Sequence, residues 1–69
     1  MEKYIGKFFE FAEVFTCDIA ENGVWIEQYS EGSYCLEHIK TEKQLIQLYE
    51  ILTGEPFYES NLKLNYYNY

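Results

Sequence analysis

A chain of 69 residues with 12 acids, 5 lysines and no arginine carries a formal charge of −7. That balance repels nucleic acid and anionic membrane surfaces and attracts basic ones. The length suits a single domain, residues 1–69, that removes only about 60% of its unfolded surface from water, and no apolar run approaches the roughly 20 residues of a membrane span.

A core this small needs a supplement. Two cysteines, Cys17 and Cys35, allow at most one disulfide, and the single histidine, His38, rules out a Cys/His zinc set. Aromatic side chains make up 20% of the residues and are the remaining candidate. The start, Met-Glu-Lys-Tyr, has no basic region followed by an apolar run. Free thiols without such a leader suit a reducing cytoplasm.

The charge is not spread evenly. Phe8 to Ile39 contains no lysine and holds Glu10, Glu13, Asp18, Glu21, Glu27, Glu31 and Glu37. The other five acids and the five lysines lie outside that stretch and cancel, so the whole excess belongs to one central segment.

In chain order, the N-terminal segment fits two patterns. Tyr4, Phe8, Phe11 and Phe15 form a helical stripe, whereas Phe9, Phe11 and Phe15 suit a strand with Glu13 as the exception. The stripe predicts a short helix over Lys3 to Ala12. Asn22-Gly23 then signals a two-residue type I′ hairpin that pairs Ile19 with Ile26 and Asp18 with Glu27. Ser30-Glu31-Gly32 signals a three-residue hairpin loop pairing Tyr29 with Ser33, Ile26 with Leu36 and Glu27 with Cys35.

Both hairpins give one apolar face, Phe15, Cys17, Ile19, Val24, Ile26, Tyr34 and Leu36, with the two cysteines on opposite faces. A helix over about 41–53 follows. Thr41 and Gln44 make a capping box, Leu45, Leu48, Tyr49 and Leu52 make one apolar stripe, and Gly54 with Pro56 ends it. From Asn61 on, Leu62, Leu64 and Tyr66 alternate with polar residues, which suits a short edge strand or an ordered tail through residues 57–69. The expected fold is α+β: a small antiparallel meander of about three strands, with room for a fourth, and one capped helix packed on one face.

The other sheet face is expected to carry Thr16, Asp18, Ala20, Trp25, Glu27, Tyr29, Cys35, Glu37 and Ile39. Of these, Asp18, Trp25, Glu27, Tyr29 and Glu37 are the candidate partner-binding residues, with Glu37 placed opposite Trp25. Aromatic anchors ringed by carboxylates suit docking onto a basic protein. The competing reading is an ordinary solvated face, with Trp25 covered by the N-terminal segment.

Catalytic chemistry is poorly supported. His38 has no nucleophile at a recognisable spacing, no phosphate-binding or dinucleotide motif is present, and no calcium-loop pattern surrounds the carboxylates. No catalytic residue, metal or cofactor is therefore expected. In size and charge the chain resembles the small acidic proteins with which phages and mobile elements inhibit host enzymes, anti-CRISPR proteins and nucleic-acid mimics among them, although no motif is shared. That resemblance implies a stoichiometric inhibitor acting in the host cytoplasm on a basic, nucleic-acid-binding surface of a host or defence protein. The alternative is a non-catalytic assembly module, a homodimer or a small subunit of a complex, joined through aromatic surface and the C-terminal edge.

Overall fold

The computed structural model describes residues 1–28 and 31–64. Its single α-helix forms where the local signals put it. Thr41 Oγ1 accepts a hydrogen bond from the Gln44 backbone N–H at 3.2 Å, and the Thr41 N–H donates to Gln44 Oε1 at 3.0 Å, closing the capping box. Helix α1 runs Glu42–Thr53. It ends where Gly54 turns left-handed and donates its N–H to the Glu50 carbonyl at 3.0 Å. Leu45 and Tyr49 are buried and Leu48 and Leu52 pack beside them, while Ile51, on the opposite side, stays 78% exposed.

The sheet has five antiparallel strands: β1 (Lys7–Phe11), β2 (Phe15–Ala20), β3 (Gly23–Gln28), β4 (Gly32–Leu36) and β5 (Lys63–Leu64), in the order β4-β3-β2-β1-β5. The α+β class is as expected, with more strands than the meander foreseen. The alternation at Leu62 to Leu64 becomes an edge strand; its continuation at Tyr66 lies outside the described residues.

The expected helix over Lys3 to Ala12 does not form. A 3₁₀ turn, Glu2–Tyr4, leads into β1 instead. Tertiary pairing decides the matter, because β1 is held on both sides, by β2 and by β5. Phe9 is buried against the helix side, where its ring meets Tyr49 edge-on with centroids 4.9 Å apart. Phe11 and Phe15, paired across the β1–β2 turn, stack at 4.8 Å. Tyr4 and Phe57 complete this aromatic core around Tyr49.

Both hairpins are shifted in register from the expectation. Ile19 pairs with Val24 and Asp18 with Trp25, so the turn is Glu21-Asn22, not Asn22-Gly23. The positive φ, 136°, falls on Gly23, the first residue of β3. A Cβ there would overlap the Leu36 carbonyl oxygen, so the glycine is required by the close passage of β4, and a type I′ turn is not what forms. In the second hairpin Ile26 pairs with Tyr34, Glu27 with Ser33 and Gln28 with Gly32. Each shift moves the pairing sum by two residues. A slip of two preserves which side chains share a face, whereas a slip of one would invert them.

The apolar face, with Cys17, Ile19, Val24 and Ile26 buried, therefore receives α1 as expected. Tyr34, at the sheet's edge, is 57% exposed despite sharing that face. Ile39 departs from its expected place: it is 4% exposed and belongs to the core beneath the helix. Among the described residues, no helix is long and apolar enough to cross a membrane.

Candidate functional site

Helix α1 covers one face of the sheet. The register generates the other. Side chains directly paired across strands share a face, which gives a row of Lys63, Phe8, Asp18, Trp25 and Cys35 running from β5 to β4. A second row contains Glu10, Thr16, Glu27 and Ser33. Phe8 and Trp25 are half-buried, and neither belongs to the core packed under the helix.

Asp18 stands between the two aromatic positions, paired with Phe8 on one side and Trp25 on the other. Partial burial there raises its carboxyl pKa above the ordinary value. The negative charge of Glu27, one step along β3's face, and a hydrogen bond between the two carboxyl groups raise it further. Two neighbouring carboxylates repel each other. A cation laid over them relieves that cost.

The same face shows how it takes a cation. Lys63 reaches from β5 to Glu10 on β1, with Nζ 2.9 Å from Oε1. Glu27 stands between two shallow hollows. One, about 610 Å³, is bordered by Glu10, Glu13, Thr16 and Ser33; the other, about 500 Å³, is bordered by Asp18, Trp25 and Glu21. Trp25 is anchored in turn by the Glu21-Asn22 turn, its Nε1 donating to Asn22 Oδ1 at 3.2 Å. The Asn22 carbonyl accepts from Lys40 Nζ at 3.2 Å, which ties the turn to the approach to α1.

Of the five sequence-predicted binding residues, the structure brings Asp18, Trp25 and Glu27 together. Asp18 faces Trp25 and is diagonal to Glu27, not opposite it. Glu37 does not join them. β4 ends at Leu36, Glu37 is exposed in the turn beyond, and the residue opposite Trp25 is Cys35. Tyr29 lies outside the described residues. Phe8, Glu10 and Lys63 were not foreseen on this face. The alternative strand pattern through Phe9 and Phe11 would have placed Phe8 and Glu10 here.

The cysteines lie on opposite faces and both are free. Cys17 sits in the core, where burial and the neighbouring Asp18 charge push its thiol up to about 12, so it stays protonated and unreactive at neutral pH. Among the described residues, no group of three or more His, Cys, Asp and Glu side chains converges on a point that suits a metal ion. Among the described residues, this face is amphipathic and acid-edged. Comparison with protein-family models, with curated proteins and with solved structures returns no match to this chain.

Proposed function

We propose that this protein is a stoichiometric inhibitor that lays its uncovered sheet face over a basic, nucleic-acid-binding surface of another protein. The observation that carries this reading is the row Phe8–Asp18–Trp25 on a face that α1 leaves open, flanked by Glu10 and Glu27. The carboxylates of Glu10, Asp18 and Glu27 take the places of phosphates. Phe8 and Trp25 supply apolar area that is desolvated on contact. Long-range attraction speeds encounter, and the buried aromatics slow release. This role is non-catalytic, needs no cofactor and fits a phage- or mobile-element-type protein working in the cytoplasm of a bacterial host.

The test is capture from a bacterial lysate on the immobilised wild-type chain and, in parallel, on Asp18→Lys/Glu27→Lys. The expected result is a basic, nucleic-acid-binding protein held by the wild type alone, released by salt and displaced by its own nucleic acid. Equal capture on both columns, or a captured protein indifferent to nucleic acid, overturns the reading. A salt-insensitive homodimer closed over the same aromatics would favour the assembly-module alternative instead.

A further inference from the structure

The sheet's two edges differ. At one edge β5 contains Lys63, which bridges to Glu10 on β1. A lysine is one of the usual devices that stop a strand edge from pairing with another chain. At the other edge β4 has none. It runs five residues, Gly-Ser-Tyr-Cys-Leu, with no charge, no proline and no strand beyond it among the described residues. An edge of this kind presents alternate backbone N–H and C=O groups outward, ready to form a ladder. Tyr34, midway along it and 57% exposed, has a face against which an added strand's side chain can pack.

Charge selects the occupant. Glu31 and Glu37 bracket β4, both exposed. A second copy pairing antiparallel about Tyr34 would set Glu31 opposite Glu37 at both ends, because 31 + 37 equals 34 + 34. Like charges placed directly across strands are destabilising, and two chains of −7 repel at longer range as well. A strand with lysine or arginine at each end meets the opposite situation.

We propose that the free edge of β4 receives an extended, basic-flanked segment of the partner protein as a sixth strand, by main-chain hydrogen bonding. This rests on the partner being basic, as proposed above, and adds the way part of it is held. Main-chain bonding supplies affinity that is tolerant of sequence. Glu31 and Glu37 supply the preference for basic ends. The occupant's centre has alternating β-formers, and the spacing between its charges matches the six-residue interval from Glu31 to Glu37.

The probe is the peptide Lys-Val-Thr-Val-Thr-Val-Lys, titrated into the full chain and followed by backbone amide shifts and hydrogen exchange. Three controls accompany it: the same peptide with Glu at both ends, one N-methylated on alternate residues, and the protein variant Glu31→Lys/Glu37→Lys. The expected result is protection centred on Ser33, Tyr34 and Cys35, with the Glu-ended peptide at least about tenfold weaker. The N-methylated peptide does not bind, and the double variant prefers the Glu-ended peptide. Perturbation centred on Phe8 and Trp25 with β4 unprotected overturns the edge proposal while leaving the open-face reading intact. Protection of β4 without any peptide, accompanied by a dimer in sedimentation, also overturns it, since the occupant would then be a second copy. Binding that ignores the charge of the peptide ends removes the assigned role of Glu31 and Glu37 and overturns the selection of a basic segment.

Discussion

Asp18 and Trp25 face each other directly across β2 and β3, on the side of the sheet away from the helix. A carboxylate paired with an indole, with a second carboxylate on the diagonal, carries a burial and repulsion cost. Under the function proposed above, the pair lets the contributions of charge and area be separated.

Trp25→Ala separates them. Trp25 is half-buried and outside the core, so its truncation should cost about 1–2 kcal/mol of stability, below the roughly 3–5 kcal/mol of a core aromatic. Binding to the captured partner should weaken through faster dissociation, with its salt dependence unchanged. Urea melts and stopped-flow dissociation on this one variant check both halves. A cost of core size would place Trp25 in the structural interior.

Asp18→Asn should stabilise the fold at neutral pH. Folding raises the Asp18 pKa above 3.8, so the folded state holds this proton more tightly than the unfolded one. The stability it contributes is complete below 3.8 and is lost as pH rises through the folded value. Glu42 acts in the other direction. The Tyr4 hydroxyl donates to it at 3.0 Å and lowers its pKa, so its contribution is present above the ordinary 4.5 and lost in acid. Because solvent screens this half-exposed group, the asparagine variant should gain only about a few tenths of a kcal/mol at pH 7 and little at pH 3. Urea midpoints at the two pH values decide it, and an equal gain at both would assign the effect to packing.

Gly23→Ala should destabilise by at least about 2 kcal/mol, from strained φ together with overlap on the β4 backbone. Chemical denaturation measures this, and an unchanged midpoint would mean that β4 does not pass this close.

The β1–β2 turn stores strain of its own. Ala12 and Glu13 adopt φ of 52° and 64°, and the Val14 N–H closes on the Ala12 carbonyl at 2.7 Å around Glu13. Glu13→Gly should therefore stabilise by roughly 0.5–1 kcal/mol, because relief of the left-handed strain exceeds the added freedom of the unfolded chain. Thermal melts that show a loss instead would assign Glu13 a stabilising contact at this turn.

These cases show what the sequence could and could not convey. The helix was legible because its start and stop are local: Thr41, Gln44 and Gly54 act within one turn of the groups they satisfy. The faces of β2, β3 and β4 were legible through alternation, which survives a register shift of two. The register itself was not, because Gly23 answers to the distant Leu36 backbone and only incidentally to its own turn. β1 was misread for a related reason. Phe8 and Phe9 are chemically alike, yet one faces the open side and the other the core, so alternation does not appear in hydrophobicity. What makes β1 a strand is pairing on both sides, with β2 and with Lys63 and Leu64 far along the chain, and with it Phe8 and Glu10 join the candidate site.

That distant pairing also has a kinetic consequence. Glu10 and Lys63 are 53 positions apart, whereas β1 to β4 are joined by turns of two or three residues. Hairpins with such short connections close within microseconds, but a seam between remote segments waits on loop closure across the intervening helix. Docking of β5 is then expected as a late event, and opening of β5 as a low-cost excursion from the native state. Because Lys63 belongs to the same row as Phe8, Asp18 and Trp25, that row is complete only while the β1–β5 seam is shut. A chain arrested before β5 docks would present Glu10 without its lysine, and so a more negative face than the finished molecule.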